Sequence, residues 1–410
     1  MGNVYHTLKE RGFIAQVTDA AELEASLGRE RVTCYIGFDP TASSLHAGSL
    51  LPLMALAHMQ RAGHKTIAIL GGGTAMVGDP SGKSEMRQML TEEEISENGQ
   101  QMGKQFARFI RVDGQDGLML NNAEWLLPLS YISFLRDYGK YFSVNRMLSF
   151  EAYKIRLEKG LSFLEFNYQL LQAYDFLVLF QKQGCALQMG GDDQWGNIVA
   201  GMDLIRRLES KPAYGLTFPL LQTASGEKMG KTAKGAVWLD ANRTLPYDFF
   251  QYLRNTDDRD VKRFLCFFTF LPLAEIEELT AAGGAALNAA KERLAYEVTK
   301  IVHGDQAAEQ ARAAAKSAFG GAGQGDEGIP STTLEPARLG DGILVVDLFA
   351  QTGLCSSKSE ARRLITQGGA KVGERKIESI EDKVTPQDFK DGSVILRAGK
   401  KKVHRVLVQD

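Results

Sequence analysis

The 410-residue chain is 44% hydrophobic and 24% charged, which excludes a mainly disordered polymer and, at this length, a single ordinary core. Cys34, Cys185, Cys266 and Cys355 stand far apart, so zinc-knuckle and redox spacings are excluded and no metal site, zinc included, is expected. The N-terminus lacks the apolar stretch of a signal peptide, no segment reaches the length of a membrane span, and His6 stands where a myristoylation signal needs Ser or Thr; a cytoplasmic protein with no membrane partner is expected.

In chain order, the β-branched and aromatic run 32–38 reads as a strand. A loop with Pro40 follows, then an apolar helix from about Leu45 to Gln60, and then a second strand over 66–73 that ends in glycines. Residues 92–170 carry helical patterns and read as an insertion between two halves of one sheet. A second strand–helix unit occupies 185–209, with a strand ending at Gly190-Gly191 and a helix opening near Asp193. Strand–helix–strand units of this kind predict an α/β fold, a Rossmann-like doubly wound parallel sheet with a helical insertion. Residues 1–240 are assigned to that domain and 241–320 to an α-helical one. A glycine-rich linker is placed at 321–339, and a small α+β domain at 340–410.

The formal net charge of −2 is unevenly spread. From residue 340 onward 13 Lys and Arg face 10 Asp and Glu, and Arg397, Lys400, Lys401, Lys402 and Arg405 fall in a stretch without an acid. Ser357 and Glu360 have capping-box spacing for a helix bearing Lys358, Arg362 and Arg363, and the segment around Lys371 reads as a hairpin. A basic helix beside a basic hairpin suits phosphate binding; composition alone fits a solvated face as well.

Five segments carry chemistry. His46-Ala47-Gly48-Ser49 stands where a strand has turned into a helix. There it offers polar side chains and free backbone N–H groups to the carboxyl edge of the sheet, and Gly48 leaves room for a base or phosphate. The segment 226–239 is punctuated by glycines and presents Lys228, Lys231 and Thr232, cations that can follow charge developing on a triphosphate. It lacks the eight-residue P-loop pattern. The segment 78–87 offers Asp79, Lys83 and Arg87. Tyr168, Gln172 and Asp175 share one helix face, and polar groups in register on a buried face need a polar ligand or each other. Asp193 and Gln194 open the last helix. Each segment alone also fits an ordinary surface turn or helix cap.

Together, in this order over nearly the whole chain, the segments closely resemble bacterial tyrosyl-tRNA synthetases, class I aminoacyl-tRNA synthetases. The resemblance runs through YIGFDPTASSLHAGS, GDPSGK, NYQLLQAYD, GGDDQWGNI and KMGKT, and the tail is similar to an S4-type RNA-binding domain. It implies that Tyr35 and Asp175 hydrogen-bond the substrate phenol, that Asp79, Tyr168 and Gln172 hold its ammonium, and that Gln194 lies near its carboxylate. Gly37, Asp39, Thr41, His46, Gly48, Ser49, Gly191 and Asp193 would then meet ATP, with Lys83, Arg87, Lys228, Lys231 and Thr232 closing on its phosphates. Lys358, Arg362, Arg363, Lys371, Lys400, Lys401 and Lys402 would contact RNA, and residues 241–320 would recognise the anticodon.

The implied reaction joins L-tyrosine to ATP, with Mg2+, forming tyrosyl-adenylate and pyrophosphate. Tyrosine then passes to the 3′-terminal adenosine of tRNA(Tyr), in a homodimer. A site that hydrogen-bonds the phenol would reject phenylalanine by about 10⁴–10⁵, a figure that itself comes from tyrosyl-tRNA synthetases. Ser49 departs from the second histidine usual in the family's first signature, and is expected to donate one hydrogen bond to the nucleotide. Two other readings share these residues. A tryptophan-specific relative is disfavoured by Tyr35 with Asp175 and by the basic C-terminal domain, and a non-catalytic RNA-binding splicing or translation factor by the intact Lys228, Lys231, Asp79 and Gln194.

Overall fold

The computed structural model describes residues 2–81, 90–232, 235–320, 329–340, 342–390, 392–399 and 402–408. The chain forms two compact units, Met1–Thr244 with Asn255–Leu294, and Leu245–Arg254 with Ala295–Asp410.

The first unit is built on a six-stranded sheet of β1 (Gln16–Val17), β2 (Thr33–Phe38), β3 (Lys65–Leu70), β4 (Gly117–Asn121), β5 (Cys185–Gly191) and β6 (Tyr214–Phe218), in the order β1-β6-β5-β2-β3-β4. All pairs are parallel except β1 with β6. The chain runs outward from β2 through β3 to β4, then returns to β5 on the other side of β2. The direction of winding thus reverses between β2 and β5, and a crevice must open at the carboxyl ends of those two strands. Tyr35 of β2 stands directly opposite Gln188 of β5 in the register, so both side chains rise on the same face.

One face of the sheet packs Tyr35, Ile67 and Ile69 against Phe176 and Leu177 of the helix Tyr168–Gln183 and Leu204 and Ile205 of the helix Trp195–Glu209. The helix Leu50–Arg61 is buried on nearly every side, from Leu50 to Gln60, because its sequence is apolar all round. Arg11 is buried, and its two terminal guanidinium nitrogens donate to the carbonyls of Cys266, Thr269 and Leu271 and so tie off the end of the helix Val261–Phe268, while its Nε has no partner.

Three sequence expectations need correction here. The insertion 92–170 is not wholly helical: Gly-Leu-Met-Leu-Asn forms β4, paired along its length with β3. It holds no β-branched residue, so only its neighbour makes it a strand. The helix expected from Leu45 begins at Leu50; a 3₁₀ turn over Ala47–Ser49 precedes it. The N–H groups of that turn are not free either. Ala47 donates to the Val237 carbonyl at 2.8 Å, Gly48 to His46 Nδ1 at 3.0 Å, and Ser49 to the His46 carbonyl at 2.8 Å. Strand-like pairing of His46 with Trp238 and 3₁₀ geometry consume them.

In the second unit the helix Pro246–Arg254 packs on Asp305–Gly320. Beyond them a five-stranded sheet joins Arg375–Lys376, Ala370–Val372, Ser393–Ala398, Lys402–Val408 and Ser331–Leu334. Its core gathers Val346 and Phe349 from one helix, Ala361 and Ile365 from another, and Leu396 and Val406 from the strands. The expected hairpin is present, with Lys371 opposite Lys376. The linker assigned to 321–339 is shorter than expected on the described side, because Ser331–Leu334 pairs in parallel with residues 405–408 and Thr332 Oγ1 meets His404 Nε2 at 2.8 Å. The capping box is only half as expected. Ser357 Oγ accepts the Glu360 N–H, while the Glu360 carboxylate reaches back to Ser356 rather than Ser357.

Candidate active site

A cleft of about 430 Å³ opens at the carboxyl ends of β2 and β5. Tyr35, Gly37, Asp39, Thr41, His46, Ser49, Asp79, Tyr168, Gln172, Asp175, Gly191 and Gln194 all line it, although they come from five separate stretches of sequence.

At one end lies a buried carboxylate. Asp175 is 4% exposed and accepts from Trp125 Nε1 at 2.7 Å and from Asn122 Nδ2 at 2.9 Å. Burial pushes its pKa up to about 7; the two donors act in the opposite direction, and the negative charge of Asp39 adds to the rise. Tyr35, 2% exposed, packs its ring against Phe176, and its hydroxyl has no hydrogen-bond partner. A buried hydroxyl without a partner costs free energy, roughly 1–3 kcal/mol, unless a ligand supplies one. Burial and the Asp175 charge both drive its pKa upward, so it remains a neutral donor.

The middle of the cleft is a second polar cluster. Asp79 accepts from the Ser81 N–H at 2.8 Å and from Gln194 Nε2 at 2.7 Å. Asn197 Nδ2 donates to both Gln172 Oε1 and Gln194 Oε1, each at 3.1 Å, and so fixes the two amides with their oxygens toward it. Tyr168 is buried beside them. Because Asp79 is acceptor-only, the cluster is suited to a cationic donor such as an ammonium group.

The other end is formed by Asp39, Thr41, His46 and Ser49. His46 Nδ1 accepts a backbone N–H, which leaves the proton of the neutral ring on Nε2. Gly48 lies against the lysine-bearing segment rather than open space: a Cβ there would stand 2.7 Å from the His46 ring and 3.0 Å from the Met229 carbonyl. The expected vacancy over Gly48 is therefore filled by the protein. The segment is held down further where Val237 donates to the Gly230 carbonyl and accepts from Ala47. Asp193 folds its carboxylate over Gly191, where a Cβ would be 2.6 Å from Asp193 Oδ1.

Lys228 is exposed on this segment and does not line the cleft. Lys231 and Thr232 form a two-residue strand with Gly235–Ala236; their side chains, like Lys83, Arg87, Lys400 and Lys401, lie outside the described residues. Among the RNA-binding expectations, Arg362, Arg363 and Lys371 are exposed, Lys358 pairs with Asp347 at 2.8 Å, and Lys402 turns inward to the Leu354 carbonyl and Glu360. Among the described residues no group of three or more His, Cys, Asp or Glu is placed to hold a metal ion.

Sequence reasoning missed Asn122, Trp125, Thr74, Asn197 and Trp238. Asn197 stands three residues after Gln194, a helical spacing that could have found it. Asn122 and Trp125 follow β4, inside what reads as a helical insertion, and carry no spacing signal.

Residues 27–320 match the family model described as tRNA synthetases class I (W and Y), and residues 322–406 match the tyrosine–tRNA ligase SYY-like C-terminal domain. The chain is 54% identical to the tyrosine–tRNA ligase of Desulfatibacillum aliphaticivorans, over 100% of this chain and 99% of that one. It is 52% identical to that of Acetivibrio thermocellus, over 99% of each. Among solved structures it resembles a C-terminally truncated Aspergillus nidulans mitochondrial tyrosyl-tRNA synthetase, with a TM-score of 0.70 and 31% identity over 78% of this chain and 95% of that one. The chain belongs to the tyrosine–tRNA ligases of the class I (W and Y) tRNA synthetases.

Proposed function

We propose that the cleft activates L-tyrosine with ATP, giving tyrosyl-adenylate and pyrophosphate, and then transfers tyrosine to the 3′-terminal adenosine of tRNA(Tyr), releasing AMP. The observation that carries this reading is the partnerless buried hydroxyl of Tyr35 in the same cleft as the Asp175 carboxylate. One donor and one acceptor there match a phenol, which can accept from Tyr35 and donate to Asp175.

The ammonium goes to Asp79, Tyr168 and Gln172, and the carboxylate of tyrosine lies near Gln194. Its oxygen attacks the α-phosphorus of ATP, whose ribose is taken by Asp193 over Gly191. Gly37, Asp39, Thr41, His46 and Ser49 border the nucleotide, which enters as its Mg2+ complex. The pyrophosphate leaves toward Lys83, Arg87, Lys228, Lys231 and Thr232. No covalent enzyme intermediate is needed; the protein aligns the reactants and stabilises charge.

The tail supports an RNA role through a particular register. Lys371 stands opposite Lys376 on one side and Arg397 on the other, three cations abreast. Like charges directly opposed in a sheet repel, and a polyanion relieves them. Arg362, Arg363 and Lys358 on the neighbouring helix, with Lys400, Lys401 and Lys402, extend the RNA assignment, and residues 241–320 are assigned to the anticodon.

A homodimer is supported by apolar side chains left exposed in the insertion, among them Leu127, Tyr131, Ile132, Val144, Leu157 and Phe163. No helix among the described residues is long and apolar enough to cross a membrane, and a cytoplasmic location, where ATP and tRNA are available, belongs to this reading. ATP–pyrophosphate exchange by the whole chain tests the reading: it should require tyrosine and fail with tryptophan, and labelled tyrosine should become esterified to tRNA. Exchange driven equally by tryptophan would overturn it.

A further inference from the structure

One run of polar contacts in the cleft serves neither ligand directly. Asn122 Nδ2 donates to Asp175 Oδ2 at 2.9 Å and to Thr74 Oγ1 at 3.0 Å, while Asn122 Oδ1 accepts the Gly73 N–H at 2.8 Å. The amide can stand only one way round, with its oxygen toward a donor and both hydrogens toward acceptors. Thr74 Oγ1 therefore accepts from Asn122, and its own hydrogen goes to Asp39 Oδ1, 3.3 Å away. Asn122 and Thr74 are 1% and 3% exposed, so water does not compete for the bonds of Asn122, while the bond from Thr74 to Asp39 is half-buried.

Gly71 is what allows the last contact. A Cβ at that position would lie 2.4 Å from Asp39 Oδ1 and 2.6 Å from Thr74 Oγ1. The bare strand end after β3 is thus the place where the hydroxyl and the carboxylate meet. The result is a hydrogen-bonded path between Asp175, at the ring end of the cleft, and Asp39, beside Thr41 and His46 at the nucleotide end, in which the Asn122 amide donates to both Asp175 and Thr74 and Thr74 donates on to Asp39.

We propose that Thr74 is a positioning residue that couples the two halves of the cleft, so that a phenol donating to Asp175 changes how firmly Asp39 is held for ATP. The coupling rests on the tyrosine–tRNA ligase reading. A phenol hydrogen on Asp175 draws on the charge that Asn122 was sharing, and bonds in a buried chain polarise one another. The same hydrogen also offsets the repulsion between the Asp175 and Asp39 carboxylates. Coupling free energy is reciprocal, so ATP must change tyrosine affinity by the factor by which tyrosine changes that of ATP.

Thr74→Val keeps the shape of the side chain and deletes both hydrogen bonds; Thr74→Ser keeps the hydroxyl. Tyrosine Kd is measured on the whole chain with and without the α,β-methylene analogue of ATP. In the parent the two values should differ by about tenfold, a typical coupling. In Thr74→Val their ratio should fall to within about twofold of one, and in Thr74→Ser it should return toward the parent's. Thr74→Ala makes the same deletion should the valine variant not fold. A parent ratio of one, or a ratio kept in the valine or alanine variant, overturns the coupling. Tyrosine-dependent exchange is followed in parallel: its absence from the parent sinks the ligase reading itself, whereas exchange with an unchanged ratio sinks Thr74 alone.

Discussion

Trp125 Nε1 donates to Asp175 Oδ1 at 2.7 Å, from a turn that follows the edge strand β4 to a carboxylate 50 residues further along the chain. The indole is thereby one of only two donors, with Asn122, that hold this carboxylate among the described contacts, and burial still raises its pKa to about 7. A phenol donates more strongly to the ionised form than to the protonated one, because a hydrogen bond to a charged acceptor is about twice as strong as a neutral one.

Tyrosine affinity should therefore increase as pH rises from about 5.5 to 8, with a midpoint near 7 in the free enzyme. Trp125→Phe removes a donor that favours the charged form, so the midpoint should move up, past the parent's. Titrating tyrosine into both proteins across that range checks it; a midpoint unmoved or lowered in Trp125→Phe would contradict the assignment.

The same group sets a stability slope. Its pKa is about 7 folded and near 3.8 unfolded, so the folded state holds the proton more tightly. The resulting stabilisation is complete below the unfolded value and is lost as pH climbs through the folded one, by roughly 4 kcal/mol in all. Asp175→Leu has no such slope. In tyrosine-free protein the stability of the parent relative to Asp175→Leu should decline between pH 4 and 8, as read from chemical denaturation.

Much of this cleft is legible in the sequence, and the reason is local. Tyr168 and Asp175 share one face of a single helix and Gln194 closely follows a strand end, where spacing reveals which side chains converge, and His46 and Asp79 lie in the segments that follow β2 and β3. Asn122, Trp125 and Thr74 act across chain separations of about fifty residues, after a strand with no β-branched residue and at the end of a glycine run. Their meeting depends on β4 lying beside β3, a pairing that periodicity cannot announce. The free N–H groups expected at Ala47–Ser49 failed for a related reason. The segment that consumes one of them, around Val237, is 190 residues away in sequence.

Gly48→Ala places a Cβ 2.7 Å from the His46 ring and 3.0 Å from the Met229 carbonyl, so either the imidazole or the lysine-bearing segment must move. Displacement of about 1 Å at a reacting centre can cost on the order of 10² in rate. Adenylate formation should slow by about that factor, while tyrosine affinity in the absence of ATP stays within about twofold, because Asp175 is remote from the change. Rapid-quench and equilibrium measurements on the same preparation separate the two effects.

Lys371 stands between Lys376 and Arg397 in the register of the tail sheet. Lys371→Thr relieves that repulsion, so the melting temperature of the tail should not fall. RNA affinity should weaken, and the slope of log affinity against log salt should become shallower by about 0.7–0.9. Tyrosine-dependent exchange should be unaltered. An unchanged salt slope would remove Lys371 from the RNA surface.

Tyr35→Phe deletes a buried hydroxyl that has no partner in the ligand-free protein. Such a change should leave thermal stability equal or higher, since only an unsatisfied group is lost. It should also cut the preference for tyrosine over phenylalanine by about tenfold or more, because one of the two phenol contacts is gone.

The most direct measurement is the ratio of kcat/KM for tyrosine and for phenylalanine in ATP–pyrophosphate exchange by the unmodified chain. A cleft in which Tyr35 and Asp175 meet the phenol should favour tyrosine by about 10⁴ or more. A ratio of about tenfold or less, as expected where the pocket leaves the phenol hydroxyl without a partner, would contradict it.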